Sequence, residues 1–444
     1  MGRTRSTNTR SSSTYTRRSC TSSKTAIGIP LCCPTGPDAI DFCEVVRRMP
    51  YIRSGFQFMA RTTITNGVGS RVFLPETVRG LGGKRAFVVT DPGIVRAGLL
   101  DKILELFDLV PTPVTIAGVF DRVEQDAKAH IINEAARAYR ECAADSLIAL
   151  GGGSVLDTVK GIRWMVSRGL TDIRPALIGN VLEMWPEAQP IFIPHVALPT
   201  TAGTGAEASP IAVVFHDDLG VKVNLINPFI NADIAILDPE LTVGLPPSIT
   251  AFTGFDALTH AIEGFFSPQA NPFTDAYAIQ SARMIFENLP KAVANGQDLT
   301  ARANMLMAST MAIISFSLAL NAIPVHNMAH AFGAKFGIPH GLANAVLLPN
   351  VMAAMPAFYR ARIREFMAAI GLDAPSDPDA ALESFIQRIR DLRQQVGLPA
   401  TFADYQLDKR QLGKMVDLVH ADPSGVVYRL PDAIIQRVTR EVAS

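Results

Sequence analysis

Four of the chain's eight histidines fall between residues 260 and 340, and their spacing suits metal binding. Asp256 and His260 stand four apart in Gly-Phe-Asp-Ala-Leu-Thr-His, and His326 and His330 stand four apart in His-Asn-Met-Ala-His. Residues at that interval share one face of a helix. His340 follows in Pro-His-Gly. Imidazole and carboxylate groups projecting from facing helices can hold a divalent cation inside a helical bundle. The last cysteine is Cys142, so the donors would be nitrogen and oxygen. That set suits Fe(II), Zn(II), Co(II) or Mn(II) without choosing among them. A lone histidine is more often a hydrogen-bonded core or surface residue. Two such pairs and a fourth histidine in Pro-His-Gly, in otherwise apolar helices, are hard to attribute to packing.

A second group suits a phosphate. Leu150-Gly151-Gly152-Gly153-Ser154 follows an apolar run and leads into a helix-compatible segment from Val155 to Lys160. Glycine lets the backbone approach an anion closely, and a helix N-terminus presents free N–H groups at its positive end. The run is not the G-x-G-x-x-G fingerprint, so a standard Rossmann site is not indicated. Asp91 ends a candidate strand, where a carboxylate can accept from an adenosine ribose hydroxyl and would repel a 2′-phosphate. Beside Pro92 it also reads as a plain turn former. Thr200, Thr201, Thr204 and Ser209 sit in a glycine-containing loop that could line a cofactor groove.

The elements that must carry these residues come in two kinds. Ala86–Thr90, Thr115–Val119, Ser146–Leu150, Val196–Leu198 and Ile234–Leu237 read as short strands, with helical stretches such as 125–142 between them. Strands alternating with helices imply βαβ units and a parallel sheet. From about Leu241 the strand signal stops, and Ala-, Leu- and Met-rich helical stretches take over. The expected organisation is an extension over 1–55, an α/β domain over 56–240 and a helical domain over 241–444. Residues 303–325 carry no formal charge, but serines, a threonine and an asparagine interrupt them, and Pro324 is expected to end them. A buried core helix fits this better than a membrane span.

The bulk charge is balanced, with 41 basic and 41 acidic residues, which gives no support for a nucleic-acid partner. The balance is uneven along the chain. Residues 1–37 hold six basic residues and no acid and are crowded with Ser and Thr, leaving 35 basic against 41 acidic residues in the rest. Such a stretch has the composition of an organellar transit peptide. The competing readings are a disordered tail or a start placed too far upstream. The expected location is cytoplasmic, or mitochondrial if 1–37 is an address. No membrane partner is expected.

The chain resembles the iron-containing (group III) alcohol dehydrogenases. The matching stretches are GGGSVLD (151–157), LPTTAGTGAEAS (198–209), AILDPELTVGLPP (235–247), GFDALTHAIEGFFSP (254–268) and VHNMAHAFGAKFGIPHGLANAVLLPNVM (325–352). The resemblance implies an α/β N-terminal dinucleotide-binding domain, an all-helical C-terminal metal-binding domain and an active site in the cleft between them. It implies Asp256, His260, His326 and His340 as ligands of a divalent metal, Fe(II) first and Zn(II) as the alternative. His330 becomes the catalytic histidine near substrate. Gly152, Gly153, Ser154, Asp157, Thr200, Thr201, Thr204, Lys222 and Asp91 become the NAD-binding residues. The chain departs from the family at Val123-Glu124-Gln125-Asp126, where many members carry Pro-Asn-Pro, and around Asp422-Pro423-Ser424-Gly425, where Asn-Pro-Arg is frequent.

The implied activity is NAD(H)-linked, metal-dependent interconversion of a primary alcohol, or a hydroxy acid, and its carbonyl partner. The expected partners are a small alcohol or aldehyde and further copies of the chain in a homo-oligomer. Phe255 and residues near Phe265 and Phe332 are candidates for an apolar substrate pocket. Three rivals remain: a hydroxyacid–oxoacid transhydrogenase that recycles bound NAD, a metal-independent relative like maleylacetate reductase, and a non-redox metal hydrolase or lyase. The last would not need the glycine run, and the full ligand set argues against the second.

Overall fold

The strongest apolar runs become the central sheet, because strands covered on both faces need no polar side. In the computed structural model, which describes residues 56–184, 186–425 and 427–443, nine strands and their connecting helices alternate through the first part. They are β1 (Thr63–Asn66), α1 (Leu74–Gly80), β2 (Arg85–Val89), α2 (Pro92–Arg96), α3 (Leu99–Leu109), β3 (Thr115–Phe120), α4 (Ala129–Glu141), β4 (Ser146–Gly151), α5 (Gly153–Ser167), β5 (Val181–Leu182), β6 (His195–Pro199), β7 (Ile211–His216), β8 (Val221–Ile226) and β9 (Ile234–Leu237). The extension expected over 1–55 lies outside the described residues.

Six strands form one parallel sheet in the order β1-β9-β6-β4-β2-β3. Every residue of β4 is buried, as expected of a parallel strand with helices on both faces. The two faces separate by alternation along the strands. Ala86, Val88, Ile148 and Leu150 pack with Leu74, Val78 and Ile103 on one side. Phe87, Val89, Leu147 and Ala149 pack with Ile132, Ala136, Leu156 and Val159 on the other. β3 lies on one side of β2 and β4 on the other, so the strand order reverses there. A crevice opens beyond the carboxyl ends of strands at such a switch, where open α/β sheets bind ligands. Asp91 follows β2 and Gly152 follows β4, so both lie at that edge.

A second sheet, β5-β8-β7, pairs β7 and β8 antiparallel and sets Phe215 opposite Lys222. These strands and β1 were not among those expected. β1 carries only one apolar residue and β5 is two residues long, so neither has a readable period.

Only helices follow β9 among the described residues. α6 (Pro247–Phe266) is buried on every side from Gly254 onward, as a central helix must be. α7 (Pro272–Ala294), α8 (Leu299–Leu318), α9 (Pro324–Phe336) and α10 (His340–Ala354) surround it, and shorter segments complete the unit. The apolar stretch near 303–325 is the buried α8 plus a turn. Pro324 does not end that helix; it opens the next one, at the first helical position, where its missing N–H costs nothing. No helix among the described residues is long and apolar enough to cross a membrane.

Candidate metal and dinucleotide site

α6, α9 and the N-terminus of α10 bring Asp256, His326 and His340 together. Each offers a ligand atom, and the three atoms lie within 4.8 Å of one another. Asp256 Oδ1 is 3.5 Å from His326 Nε2 and 3.4 Å from His340 Nε2. Asp256 also accepts from Asn344 Nδ2 at 2.7 Å, one turn along α10 from His340. His260 stands one turn beyond Asp256 on α6 but is not one of that trio. Its ring stacks on His326 with centroids 4.5 Å apart and leans on Phe316.

The protonation pattern follows from the charges. Burial pushes His260 down to about 3 despite the Asp256 carboxylate. Burial also holds His340 well below the usual imidazole range, with Asp256 opposing and the neighbouring histidines reinforcing the shift. Both rings are thus neutral, with lone pairs to offer. Burial would lower His326 too, but Glu263 and Asp256 outweigh it and raise it to about 9. Burial opposes ionisation of Asp256, yet the surrounding histidines hold its carboxyl well below the ordinary range.

This donor set fits a divalent cation. His260 Nδ1, His326 Nε2 and His340 Nδ1 are buried and have no hydrogen-bond partner among the described residues. Buried polar atoms left unpaired in this way call for a ligand. Two histidines and a carboxylate, with a third histidine alongside, match the nitrogen and oxygen preferences of first-row metals. The Glu263 carboxylate contacts His326 Nδ1, the atom facing away from the cluster, as is common behind a metal-binding imidazole.

His330 lies one turn past His326, its ring centroid 5.1 Å from that of His340. Its Nδ1 is 3.4 Å from Asp422 Oδ1. Asp422 also accepts from Asn327 Nδ2 at 3.3 Å.

The glycine run forms the other half of the site. Gly152 caps α5 in extended conformation, and Gly153 begins the helix. A Cβ on Gly153 would fall 2.7 Å from Thr204 Cγ2, and one on Gly152 would lie 3.3 Å from Thr201 Oγ1. The Thr200–Gly205 loop therefore closes against the run, with the Thr200 N–H donating to the Gly151 carbonyl at 3.1 Å. The Gly203 backbone of the same loop meets His260. One short loop thus touches both the glycine run and the histidine cluster.

The remaining candidates divide. Lys222 Nζ donates to Asp126 Oδ1 at 2.8 Å, at the same edge of the run. Asp157 turns inward: its oxygens accept from Lys160 Nζ at 3.0 Å and from the Val213 N–H at 3.1 Å, and burial raises it. Asp91 caps α2, its Oδ1 accepting from the Gly93 and Ile94 N–H groups at 2.7 and 3.0 Å. Phe255, an apolar pocket candidate, and Phe265 and Phe332, whose neighbours were the other candidates, belong to one apolar core. They are fully buried in the helical core, where Phe265 packs on Phe366 and Phe332 on Phe402. α6 from Gly254 onward and α9 from Pro324 to Phe332 are buried on all sides, so composition could not tell lining from core.

Sequence reasoning passed over Glu263, Asn344 and Asp126. Glu263 follows His260 by three on α6, an i,i+3 signal in otherwise apolar sequence that could have drawn notice. Asn344 follows His340 by four in the same way. Asp126 lies in the stretch 123–126 that departs from the family pattern, but nothing local marked its own side chain.

Two family models match nearly all of the described chain: "Iron-containing alcohol dehydrogenase" over residues 61–239 and "Fe-containing alcohol dehydrogenase family, C-terminal" over 250–428. The chain is 35% identical over 357 residues to 1-propanol dehydrogenase PduQ of Citrobacter freundii, covering 80% of this chain and 89% of that protein. Its fold matches a crystal structure of 1,3-propanediol oxidoreductase with a TM-score of 0.79 and 30% identity, covering 88% of this chain and all of the other. It also matches sulfoacetaldehyde reductase from Bifidobacterium kashiwanohense in complex with NAD+, with a TM-score of 0.75, 27% identity and 88% and 99% coverage.

Proposed function

The chain belongs to the iron-containing alcohol dehydrogenase family, and from that membership we propose that it interconverts a small primary alcohol and its aldehyde, using NAD(H) and a divalent metal. The observation that carries this reading is the convergence of Asp256, His326 and His340, joined to the glycine run through the Thr200–Gly205 loop. Asp256, His260, His326 and His340 hold the metal, Fe(II) in the first instance and Zn(II) as its competitor. When bound, the metal would supply Lewis acidity toward a substrate oxygen, and NAD(H) would supply the hydride chemistry.

The chain's own groups do the rest. Gly152 and Gly153 let the backbone approach the pyrophosphate, and the Ser154 hydroxyl and the α5 N-terminus face it. Asp91 meets the adenosine ribose. Thr201 and Thr204 wall the groove and keep water from it. His330, its Nδ1 turned to Asp422, moves the hydroxyl proton at Nε2. The fold class and the buried cluster favour this reading over a hydrolase, which has no use for the glycine run.

Elemental analysis of the purified protein, paired with an NAD(H)-linked panel of alcohols and aldehydes, tests the reading. About one divalent metal per chain and reduction of NAD by a primary alcohol are expected. Turnover between two organic substrates without added NAD would replace it with transhydrogenation. A His326→Ala variant with normal metal content would remove His326 from the ligand set.

A further inference from the structure

Glu207 lies in the loop between β6 and β7 and is 2% exposed. Its backbone belongs to the α/β half. The Glu207 carbonyl accepts from the Ala232 N–H at 3.1 Å and from Thr62 Oγ1 at 3.3 Å. Its side chain crosses to the helical half. There Oε1 lies 2.6 Å from Oγ1 of Thr310 on α8, which is buried as well. The loop itself is pressed onto the same helix. A Cβ on Gly205, whose φ is +58, would fall 2.6 Å from the Ser309 carbonyl oxygen. A Cβ on Gly203 would fall 2.8 Å from the Thr253 carbonyl oxygen of α6. The loop that touches the glycine run and the histidine cluster is thus seated on two helices, and the Glu207 side chain bonds it to one of them.

The bond has a preferred direction. The charge felt at Glu207 is that of Lys160 on α5, and Lys160 is already engaged. Its Nζ donates to Asp157 Oδ1 at 3.0 Å and to the Ile211 carbonyl at 2.6 Å. Burying a carboxylate without a counter-ion of its own is costly, and such a group keeps its proton instead. Burial accordingly raises Glu207, with the Thr310 hydroxyl and Lys160 opposing the shift. The hydrogen count agrees. Thr310 has one hydroxyl hydrogen to give, and the Leu306 carbonyl oxygen lies 3.1 Å from its Oγ1. With that hydrogen on Leu306, the Thr310 oxygen accepts from Glu207. A carboxylic acid therefore satisfies all three groups, whereas a carboxylate and the carbonyl would compete for one hydrogen.

We propose that Glu207 is a positioning residue held as a carboxylic acid, whose O–H donates to Thr310 and seats the Thr200–Gly205 loop against the helical half. The purpose of the loop rests on the use of NAD(H) put forward above; the bond does not. Glu207→Gln keeps the shape and a donor and cannot ionise. A carboxyl raised on folding contributes stability that is lost as pH climbs from its unfolded value, near 4.5, through the folded one. The variant suffers no such loss. Its melting temperature should match wild type within about 1 °C at pH 5 and exceed it by about 3 °C at pH 8. A gap that stays constant or reverses as pH rises would overturn the proposal. NADH fluorescence then reads the loop. Thr310→Val removes the acceptor and should weaken NADH by about tenfold, whereas Thr310→Ser and Glu207→Gln keep the pairing and should stay within about twofold. Wild-type affinity in Thr310→Val, or an equal loss in Thr310→Ser or Glu207→Gln, would overturn the positioning role. A wild-type protein that binds no NADH would overturn that role together with the use of NAD(H), while the melting comparison would still decide the state of Glu207.

Discussion

Glu263 of α6 and His326 of α9 meet in a buried seam, where one carboxylate takes the imidazole Nδ1 and the Val325 N–H, the latter at 2.7 Å. α9 has no side-chain cap of its own, so Glu263 satisfies its first turn from a neighbouring helix. The same contact turns His326 Nε2 toward Asp256. Helix start and metal ligand are thereby held by one group. Glu263→Gln keeps the shape and loses the charge. Metal affinity should fall by about 10- to 100-fold, as for other groups behind a ligand imidazole. Competition against a chelator of known strength measures it, and wild-type affinity would detach Glu263 from the metal.

The fit of Gly153 against Thr204 makes a second prediction. In Gly153→Ala the new methyl must share space with Thr204 Cγ2, 2.7 Å away. The loop must give way just where the cofactor's phosphates are proposed to lie. NADH affinity should drop by roughly tenfold while metal content stays at wild type. Adding Thr204→Ser, which removes that methyl, should restore part of the loss. No rescue would mean that the loop is not the source of the effect.

Asp91 carries two tasks that one substitution separates. As the cap of α2 it accepts two N–H groups through Oδ1. Glycine is nearly as good a cap, costing only about a few tenths of a kcal/mol. Asp91→Gly should therefore stay folded and gain turnover with NADP, since the charge that repels a 2′-phosphate is gone. Comparing kcat/KM for the two cofactors decides it. An unaltered preference would leave Asp91 as a cap alone.

Glu183 ties the small sheet to α5. Burial would raise its pKa, but hydrogen bonds from Arg168, Asn227 and Trp164 hold it below the ordinary carboxylate value. A depressed folded-state pKa contributes stability above the unfolded value, near 4.5, that is lost as pH falls below it. Glu183→Gln should lower the melting temperature at pH 7 by about 2 °C, and the gap should narrow as pH approaches 4. A gap that widens in acid would contradict this charge assignment.

The central strands of the parallel sheet were legible in the sequence because they are buried on both faces. Ala86–Thr90 and Ser146–Leu150 stand out as unbroken apolar runs and become β2 and β4 nearly residue for residue. Spacing also showed which side chains share a helix face, Asp256 with His260 and His326 with His330. Where those faces turn was decided only by packing. α6 is apolar on all sides, so nothing local says that Asp256 faces α9 and α10 while His260 lies flat against His326 and Phe316. The groups that hold the site from a distance had no local mark either. Asp126 reaches Lys222 through a hairpin that short, half-polar strands did not announce. Composition and period record what each segment buries; they carry no record of which segment it is buried against, and that meeting of segments is what assembles the site.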